Sequence, residues 1–148
     1  MTATRVPGVP VIEDGVLIST NPATGAEAGR VPVADADAVV AAVARAKEAA
    51  AWWQSLGYEG RKVRMLRWRA LLVERITELA QVTSLETGKP ETDAIVETSA
   101  AVEHLDWAAR NAKRVLGPRR TRTRLLVAEH SGHVEYQPYG VVGVIGPW

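Results

Sequence analysis

The sequence predicts an α/β chain that is mostly helical, with a β-hairpin and one buried strand towards its carboxyl end. Apolar residues recur at helical spacing from about residue 36 to residue 116, and the period then changes to two. The segment 141–145 is apolar on both faces, which is typical of a strand inside a covered parallel sheet. The chain has 148 residues, 47% of them hydrophobic, which is enough for one core.

The first 35 residues predict little regular structure. Prolines and glycines among scattered valines favour an irregular lead over residues 1–15. Residues 16–20 and 29–33 are short β-favouring runs, and residues 21–25 between them have the side chains that set turn geometry. We therefore expect a small two-stranded feature in this part of the chain.

The first helix is predicted over residues 36–54. Asp35 precedes an alanine-rich stretch and can cap its amino terminus, while Asp37 places a carboxylate in the first turn, where it interacts favourably with the helix dipole. Residues 55–60 then interrupt the pattern.

Two further helices are predicted over residues 60–87 and 91–116. Gly88 suits a left-handed cap at the end of the second helix, and Pro90 cannot continue that helix. The third pattern ends at Gly117 and Pro118. We expect the apolar faces of all three helices to pack together, with the tryptophans of the helical patterns as packing anchors. The expected buried residues are Leu66, Val73, Leu79 and Val102, and the expected anchors are Trp52, Trp53, Trp68 and Trp107.

After residue 124, apolar and polar residues alternate with a period of two, which predicts a β-hairpin over residues 124–137 with a turn at Ser131 and Gly132. We expect no third strand of this chain to pair with the hairpin. The following apolar segment needs parallel neighbours, and these are joined by crossovers of about a dozen residues or more. Only three residues follow Ile145. We therefore expect the partners of this strand to lie beyond Trp148.

Three stretches together are similar to the aldehyde dehydrogenase family, and within it to the succinate-semialdehyde dehydrogenases. They are NPATG at residues 21–25, ETGKP at 86–90 and PYGVVGVIGPW at 138–148. Their order and spacing follow the family from about residue 17 onwards. The resemblance implies that residues 1–123 are the helical part of the cofactor-binding domain, 124–138 an oligomerisation hairpin, and 139–148 the first strand of a Rossmann-like sheet.

The resemblance implies an oxidoreductase that converts an aldehyde to a carboxylic acid with NAD or NADP. In the family a cysteine thiolate attacks the aldehyde, a hydride leaves for the nicotinamide, and a glutamate activates the water that hydrolyses the thioester. This chain has no cysteine, and the asparagine that helps to hold the oxyanion in the family would follow Trp148. We therefore expect no catalytic residue here and no activity from the chain alone.

The residues that match the family's cofactor cleft are Ile145, Gly146, Pro147 and Trp148, at the carboxyl end of the first sheet strand. Ligands of open parallel sheets bind at that end. The glycine spacing at 140, 143 and 146 is not the dinucleotide fingerprint G-x-G-x-x-G, and by itself it favours close backbone packing.

The expected partners are an aldehyde substrate and further copies of the complete enzyme in a homo-oligomer. An alternative keeps the helices and hairpin as a non-catalytic fragment that associates with a full-length aldehyde dehydrogenase. Eighteen basic against 17 acidic residues give a net charge of +1, so we expect neither a nucleic-acid nor a membrane partner. The sequence has no apolar stretch of signal-peptide length and no run of about 18 apolar residues, so we expect a cytoplasmic protein.

Three local features have a structural and a functional interpretation. The cations of residues 110–124 could bind phosphates, but we expect them to pair with acids such as Glu91, Asp93 or Glu97. His104, His130 and His133 do not make a metal site, because no cysteine is present and two of them lie at a turn. Lys89 lies in the ETGKP stretch at residues 86–90. Helix capping by Gly88, with Pro90 behind it, explains this stretch better than phosphate binding by Lys89 does.

Overall fold

The computed structural model describes residues 11–121 and 129–146. Three short strands come first, followed by four helices and a two-stranded ladder. The strands are β1 Val11–Glu13, β2 Val16–Thr20, β3 Glu27–Pro32, β4 Arg119–Thr121 and β5 Gly132–Val134, and the helices are α1 Ala36–Ser55, α2 Gly57–Glu74, α3 Ile76–Thr87 and α4 Glu91–Leu116. This mixed α/β architecture confirms the predicted fold class.

The amino-terminal sheet has three antiparallel strands in the order β1-β2-β3, not the two predicted. The additional strand, β1, lies in the segment expected to be irregular. Glu13 pairs with Val16 across a two-residue turn at Asp14 and Gly15, both of which have positive φ, 50° and 75°. An Asp-Gly pair readily adopts this hairpin turn, because its backbone twist matches that of the flanking strands.

The turn from β2 to β3 is the one predicted at residues 21–25. The Asn21 side-chain oxygen accepts hydrogen bonds from the backbone N–H groups of Ala23 and Thr24 at 2.9 and 3.2 Å, and Gly25 has a φ of 73°. On β2, Ile18 and Thr20 are buried on one face. Since β2 and β3 both contact α3, this buried face joins the sheet to the helices.

Helix α1 begins as predicted and ends one residue later. The Ala38 backbone N–H donates to the Asp35 carboxylate at 2.7 Å, which confirms the cap. However, no residue of α1 is buried, and Val40 is 67% exposed. The prediction that α1 packs with the other helices into one core was therefore wrong, because Val39 and Val43 are also exposed and α1 contacts α2 over a short stretch.

The predicted helix 60–87 is two helices. It starts earlier, at Gly57, and is interrupted at Arg75, whose backbone angles are φ −103° and ψ 16°. The Arg75 guanidinium forms two hydrogen bonds with the Glu78 carboxylate, at 2.6 and 2.8 Å, over the first turn of α3. No glycine or proline marks this interruption, so the pattern of apolar residues could not reveal it.

The core lies where α2 and α3 pack along α4. Val102 is buried as predicted, together with the small residues Ala80, Ala94 and Ala109, which allow the helices to approach closely. Leu66 and Leu79 are half-buried. The expectation for Val73 was wrong, because this residue lies two positions before the interruption at Arg75 and is 46% exposed.

Three of the four tryptophans also depart from the prediction, whereas Trp53 is half-buried. Trp52, Trp68 and Trp107 are 50 to 58% exposed, so they do not anchor the packing of the described residues. The guanidinium of Arg64 lies 4.6 Å from the centre of the Trp52 ring, a distance typical of a cation–π contact. Trp52 is thus held at the surface between α1 and α2.

The carboxyl-terminal ladder pairs β4 with β5, with Thr121 opposite Gly132. Gly132 is therefore a strand residue, and the predicted turn at Ser131 and Gly132 was wrong. The first predicted arm of the hairpin, from residue 125, lies largely outside the described residues. Residues 141–146 form no strand with any described part of the chain, although their apolar composition predicts one.

Candidate functional site

The segment predicted to line a cofactor cleft is exposed where the structure describes it. Ile145 is 93% exposed and Val144 is 90% exposed. A Cβ added to Gly146 would meet no atom within 4 Å. Pro147 and Trp148 lie outside the described residues. Ile145 and Gly146 are therefore accessible, and the assignment of these four residues to cofactor binding stays a prediction.

Two of the three characteristic stretches meet in space. Gly88 ends α3 in the left-handed conformation, with a φ of 74°, and lies against Pro22 of the turn between β2 and β3. The Ser84 hydroxyl donates to the Lys89 carbonyl at 2.8 Å, which fixes the chain as it leaves the helix. The predicted cap at Gly88 is confirmed, and these two stretches form a structural junction between sheet and helices.

Lys89 is held by this junction. Its ammonium pairs with the carboxylate of Glu97 on α4, and its side chain is 30% exposed. A phosphate there would have to displace a carboxylate that already neutralises the ammonium. This geometry agrees with the structural interpretation of the motif.

A groove of about 340 Å³ runs between α3 and α4 beside Lys89. Three threonines line it, and each hydroxyl donates to a carbonyl of its own helix: Thr83 to Leu79, Thr87 to Thr83 and Thr98 to Ala94. Since these protons are already used within the helices, the groove has few free donors with which to orient a polar ligand.

Asp106 joins α2 to α4 through two arginines. Its Oδ2 accepts a hydrogen bond from Arg110 Nε at 2.7 Å, and its Oδ1 lies 3.1 Å from Arg69 Nε. The second pair is an ion pair without hydrogen-bond alignment, which leaves both atoms without a hydrogen-bond partner in the described structure. The hydrogen bond from Arg110, and then the nearby charges of Arg110 and Arg69, lower the pKa of Asp106.

A second cavity of about 340 Å³ lies between the start of α2 and the end of α4. The Tyr58 hydroxyl donates to the Leu116 carbonyl at 2.9 Å and ties these two helix ends together. The charged residues that line this cavity are Glu59, Lys62, Arg110, Lys113 and Arg114.

The α4 cations that line this cavity belong to the basic stretch recognised in the sequence, whereas Tyr58 and Lys62 on α2 were not predicted to take part in a site. The signal was the spacing of four between Tyr58 and Lys62, which puts both on one helix face. Two of the α4 cations do pair with acids, as predicted, but with acids other than the examples Glu91, Asp93 and Glu97. Arg110 pairs with Asp106 instead, and Lys113 lies 3.6 Å from Glu59.

His104, His130 and His133 are exposed. In residues 11–121 and 129–146, no group of three histidine, cysteine or acidic side chains is close enough to hold a metal ion. None of the helices in the described part of the chain is long and apolar enough to cross a membrane.

Known proteins match this chain over most of its length. The model of the aldehyde dehydrogenase family matches residues 13–148. The succinate-semialdehyde dehydrogenase (NADP+) of Escherichia coli K12 is 35% identical over 133 residues, which are 87% of this chain and 26% of that protein. The N-succinylglutamate 5-semialdehyde dehydrogenase of Burkholderia mallei is 36% identical over 133 residues, 90% of this chain and 26% of that protein.

A solved structure supports the same similarity. A crystal structure of an NADP-dependent enzyme of Escherichia coli superimposes with a TM-score of 0.68 at 33% sequence identity, covering 72% of this chain and 22% of that one. The glutarate-semialdehyde dehydrogenase of Pseudomonas putida is 33% identical over 87% of this chain and 26% of its own length. The chain thus spans about a quarter of the length of these relatives.

Proposed function

The chain belongs to the aldehyde dehydrogenase family, and on that premise we propose that it is the amino-terminal portion of an oxidoreductase that oxidises an aldehyde to a carboxylic acid with NAD or NADP. The observation that carries the proposal is the family match over residues 13–148, which includes all three characteristic stretches. The relatives described above are named as semialdehyde dehydrogenases, which supports an aldehyde that also carries a carboxylate.

In this proposal the described residues serve as scaffold and as one wall of the cofactor site. When bound, NAD or NADP would supply the acceptor for the hydride that the aldehyde carbon loses. The exposed Ile145 side chain and the open backbone at Gly146 would contact that cofactor, and Pro147 and Trp148 would continue the wall. The junction of Gly88 and Pro22 holds the small sheet against α3.

The covalent step is assigned to groups outside these 148 residues. A thiolate is the nucleophile in the family, and this chain has no cysteine. Without a nucleophile the oxidation cannot be divided into attack and hydride transfer. The chain alone is therefore proposed to be inactive. The family resemblance supports the separate proposal that the complete enzyme is a homo-oligomer.

A second candidate function is non-catalytic association with a full-length aldehyde dehydrogenase. The exposed apolar residues favour it, since Val63 is 69% and Val96 68% exposed on helices that could pack against another protein. Co-purification of the tagged chain with a full-length relative would support it. A double substitution of these valines by lysine should then abolish the association.

A chimera tests the leading proposal. Residues 13–148 replace the matching segment of the Escherichia coli succinate-semialdehyde dehydrogenase, and the oxidation of succinate semialdehyde is followed with NADP and with NAD. We expect a soluble chimera that reduces at least one cofactor. In a control chimera, Ile145→Asp should weaken cofactor binding without loss of solubility. A soluble, folded chimera that binds neither cofactor would contradict the proposal.

A further inference from the structure

The cavity between the start of α2 and the end of α4 has an excess of positive charge. Lys62, Arg110, Lys113 and Arg114 line it, and Glu59 is the one carboxylate among its lining residues. Asp106, just outside, neutralises Arg110. Four cations therefore face two carboxylates, in a chain whose overall net charge is only +1.

Glu59 cannot neutralise both lysines that approach it. Its Oε1 lies 3.6 Å from Lys113 Nζ, and its Oε2 lies 4.0 Å from Lys62 Nζ. Both distances exceed the 2.7–3.2 Å typical of a hydrogen bond from nitrogen to oxygen. The two ammonium groups thus share one carboxylate at long range, and their protons remain available to a closer acceptor.

Arg114 adds a third group of available donors. One nitrogen of its guanidinium donates to the side-chain oxygen of Asn111 at 2.9 Å, which is a neutral acceptor. Arginine has five N–H donors, so this contact leaves most of them unused in the described structure. A planar guanidinium with free donors is well suited to a tetrahedral oxyanion.

The shape favours a small anion over a nucleic-acid strand. A volume of about 340 Å³ lies at the lower end of the range for small-molecule pockets. Glu59 and Asp106 also interrupt the positive surface, which would repel a continuous phosphate backbone. The Tyr58 hydroxyl donates to the Leu116 carbonyl and so ties the end of α4, which carries three of the cations, to the start of α2, which carries Lys62.

We propose that this cavity binds a small phosphate-bearing anion, with Lys62, Lys113 and Arg114 as its ligands and Glu59 as the group that the anion displaces from the lysines. The site shares no residue with the proposed cofactor contacts at residues 145–148. It takes a multiply charged oxyanion because two ammonium groups and a guanidinium converge from two helices.

Titration of the chain with inorganic phosphate and with pyrophosphate, followed by amide NMR, tests the site. We expect shifts confined to the residues around the cavity, with pyrophosphate bound more tightly. Lys113→Gln and Arg114→Gln should each weaken binding by about two- to fivefold, the range for a partly exposed ion pair. Glu59→Gln should strengthen binding by a similar factor, because it removes the competing carboxylate.

Lys47→Gln is the matched control, since it removes an exposed lysine from α1, away from the cavity. An effect of Lys47→Gln equal to that of Lys113→Gln would show a general charge effect and would overturn the proposal. An unchanged affinity of Glu59→Gln for pyrophosphate would also overturn the proposal, because this is the result that a purely structural role for Glu59 predicts. If a single-stranded oligonucleotide bound more tightly than pyrophosphate, the cavity would be part of a nucleic-acid-binding surface, and the proposal of a small-anion site would be wrong.

Discussion

Gly88 and Pro22 are in van der Waals contact so close that no side chain fits between them: a Cβ added to Gly88 would lie 2.8 Å from Cγ of Pro22. Gly88 also has a φ of 74°, which residues with a side chain adopt at a cost. Two independent constraints, one of backbone conformation and one of packing, therefore require glycine here.

Gly88→Ala should lower the free energy of unfolding by roughly 2–5 kcal/mol, the sum of about 1–2 for the left-handed backbone and about 1–3 for overpacking. Urea denaturation measures the change. Gly15→Ala is the control, because Gly15 has a φ of 75° but open space around its Cβ position, and it should cost only the backbone share.

A double-mutant cycle isolates the contact. In a Pro22→Ala background the obstructing ring is gone, so Gly88→Ala should cost no more than Gly15→Ala does. An equal cost of Gly88→Ala in both backgrounds would mean that the contact with Pro22 does not limit the packing.

The parts of the fold predicted from the sequence are those fixed by local chemistry. Asp35, Asn21 and Gly88 act through their own backbone or side chain within a few residues, so residue type alone indicated the cap, the turn and the helix end. The Asp14–Gly15 turn belongs to the same class and was readable from the sequence. The prolines and glycines around it outweigh this local signal and favour an irregular lead.

What escaped prediction depends on contacts between distant residues. The interruption at Arg75 has no glycine or proline to mark it, and the exposure of Val73 follows from it. The cavity at Tyr58 needs the end of α4 beside the start of α2, an arrangement of residues 58 positions apart. Ile145 and Gly146 were predicted to contact the cofactor only from the family resemblance. The described structure surrounds neither residue with other residues, so it adds no independent evidence for a cofactor site.

Removal of the α1 cap should act locally. Asp35→Ala is expected to cost about 1 kcal/mol and to speed amide hydrogen exchange in α1 by about fivefold. Because no residue of α1 is buried, exchange in α3 and α4 should change little. Asp37→Ala, which removes a first-turn carboxylate and leaves the capping bond, should have a smaller effect. Equal acceleration throughout the helices would show that α1 unfolds together with the core.

Asp106 should contribute to stability in a pH-dependent way. Its pKa is lowered in the folded chain, chiefly by the hydrogen bond from Arg110, so the folded state favours the carboxylate. This contribution is present above the ordinary value of 3.8 and is lost as the pH falls through the lower pKa of the folded state. Urea unfolding midpoints between neutral and strongly acidic pH measure it, and Asp106→Asn should flatten the acid end of the curve.

Glu78→Gln is the matched control for Asp106. The pKa of Glu78 is also lowered, by the hydrogen bond and charge of Arg75, but this pair lies within one turn of α3. Asp106 contacts arginines on both α2 and α4, so its replacement should destabilise the chain more at neutral pH. A larger loss in Glu78→Gln would contradict the view that Asp106 joins the two helices.

The exposed apolar segment should promote self-association. Val144 and Ile145 are at least 90% exposed and lie in a run with no charge, which is typical of segments that pair edge to edge. The double variant Val144→Lys and Ile145→Lys should scatter less light at equal concentration. Gln54→Lys with Gln81→Lys adds the same charge at exposed polar positions of α1 and α3, and an equal reduction there would attribute the effect to net charge.

The purified chain of 148 residues should not reduce NAD or NADP in the presence of an aldehyde. It has no cysteine, so no thiolate can attack the aldehyde carbon, and general binding cannot replace a missing nucleophile. The absorbance of the reduced nicotinamide, followed with a panel of semialdehydes, measures this directly. The Escherichia coli succinate-semialdehyde dehydrogenase is the positive control under the same conditions. Turnover by the chain that survives removal of host enzymes would mean that another residue serves as nucleophile, and the proposed assignment of the covalent step to groups outside this chain would then be wrong.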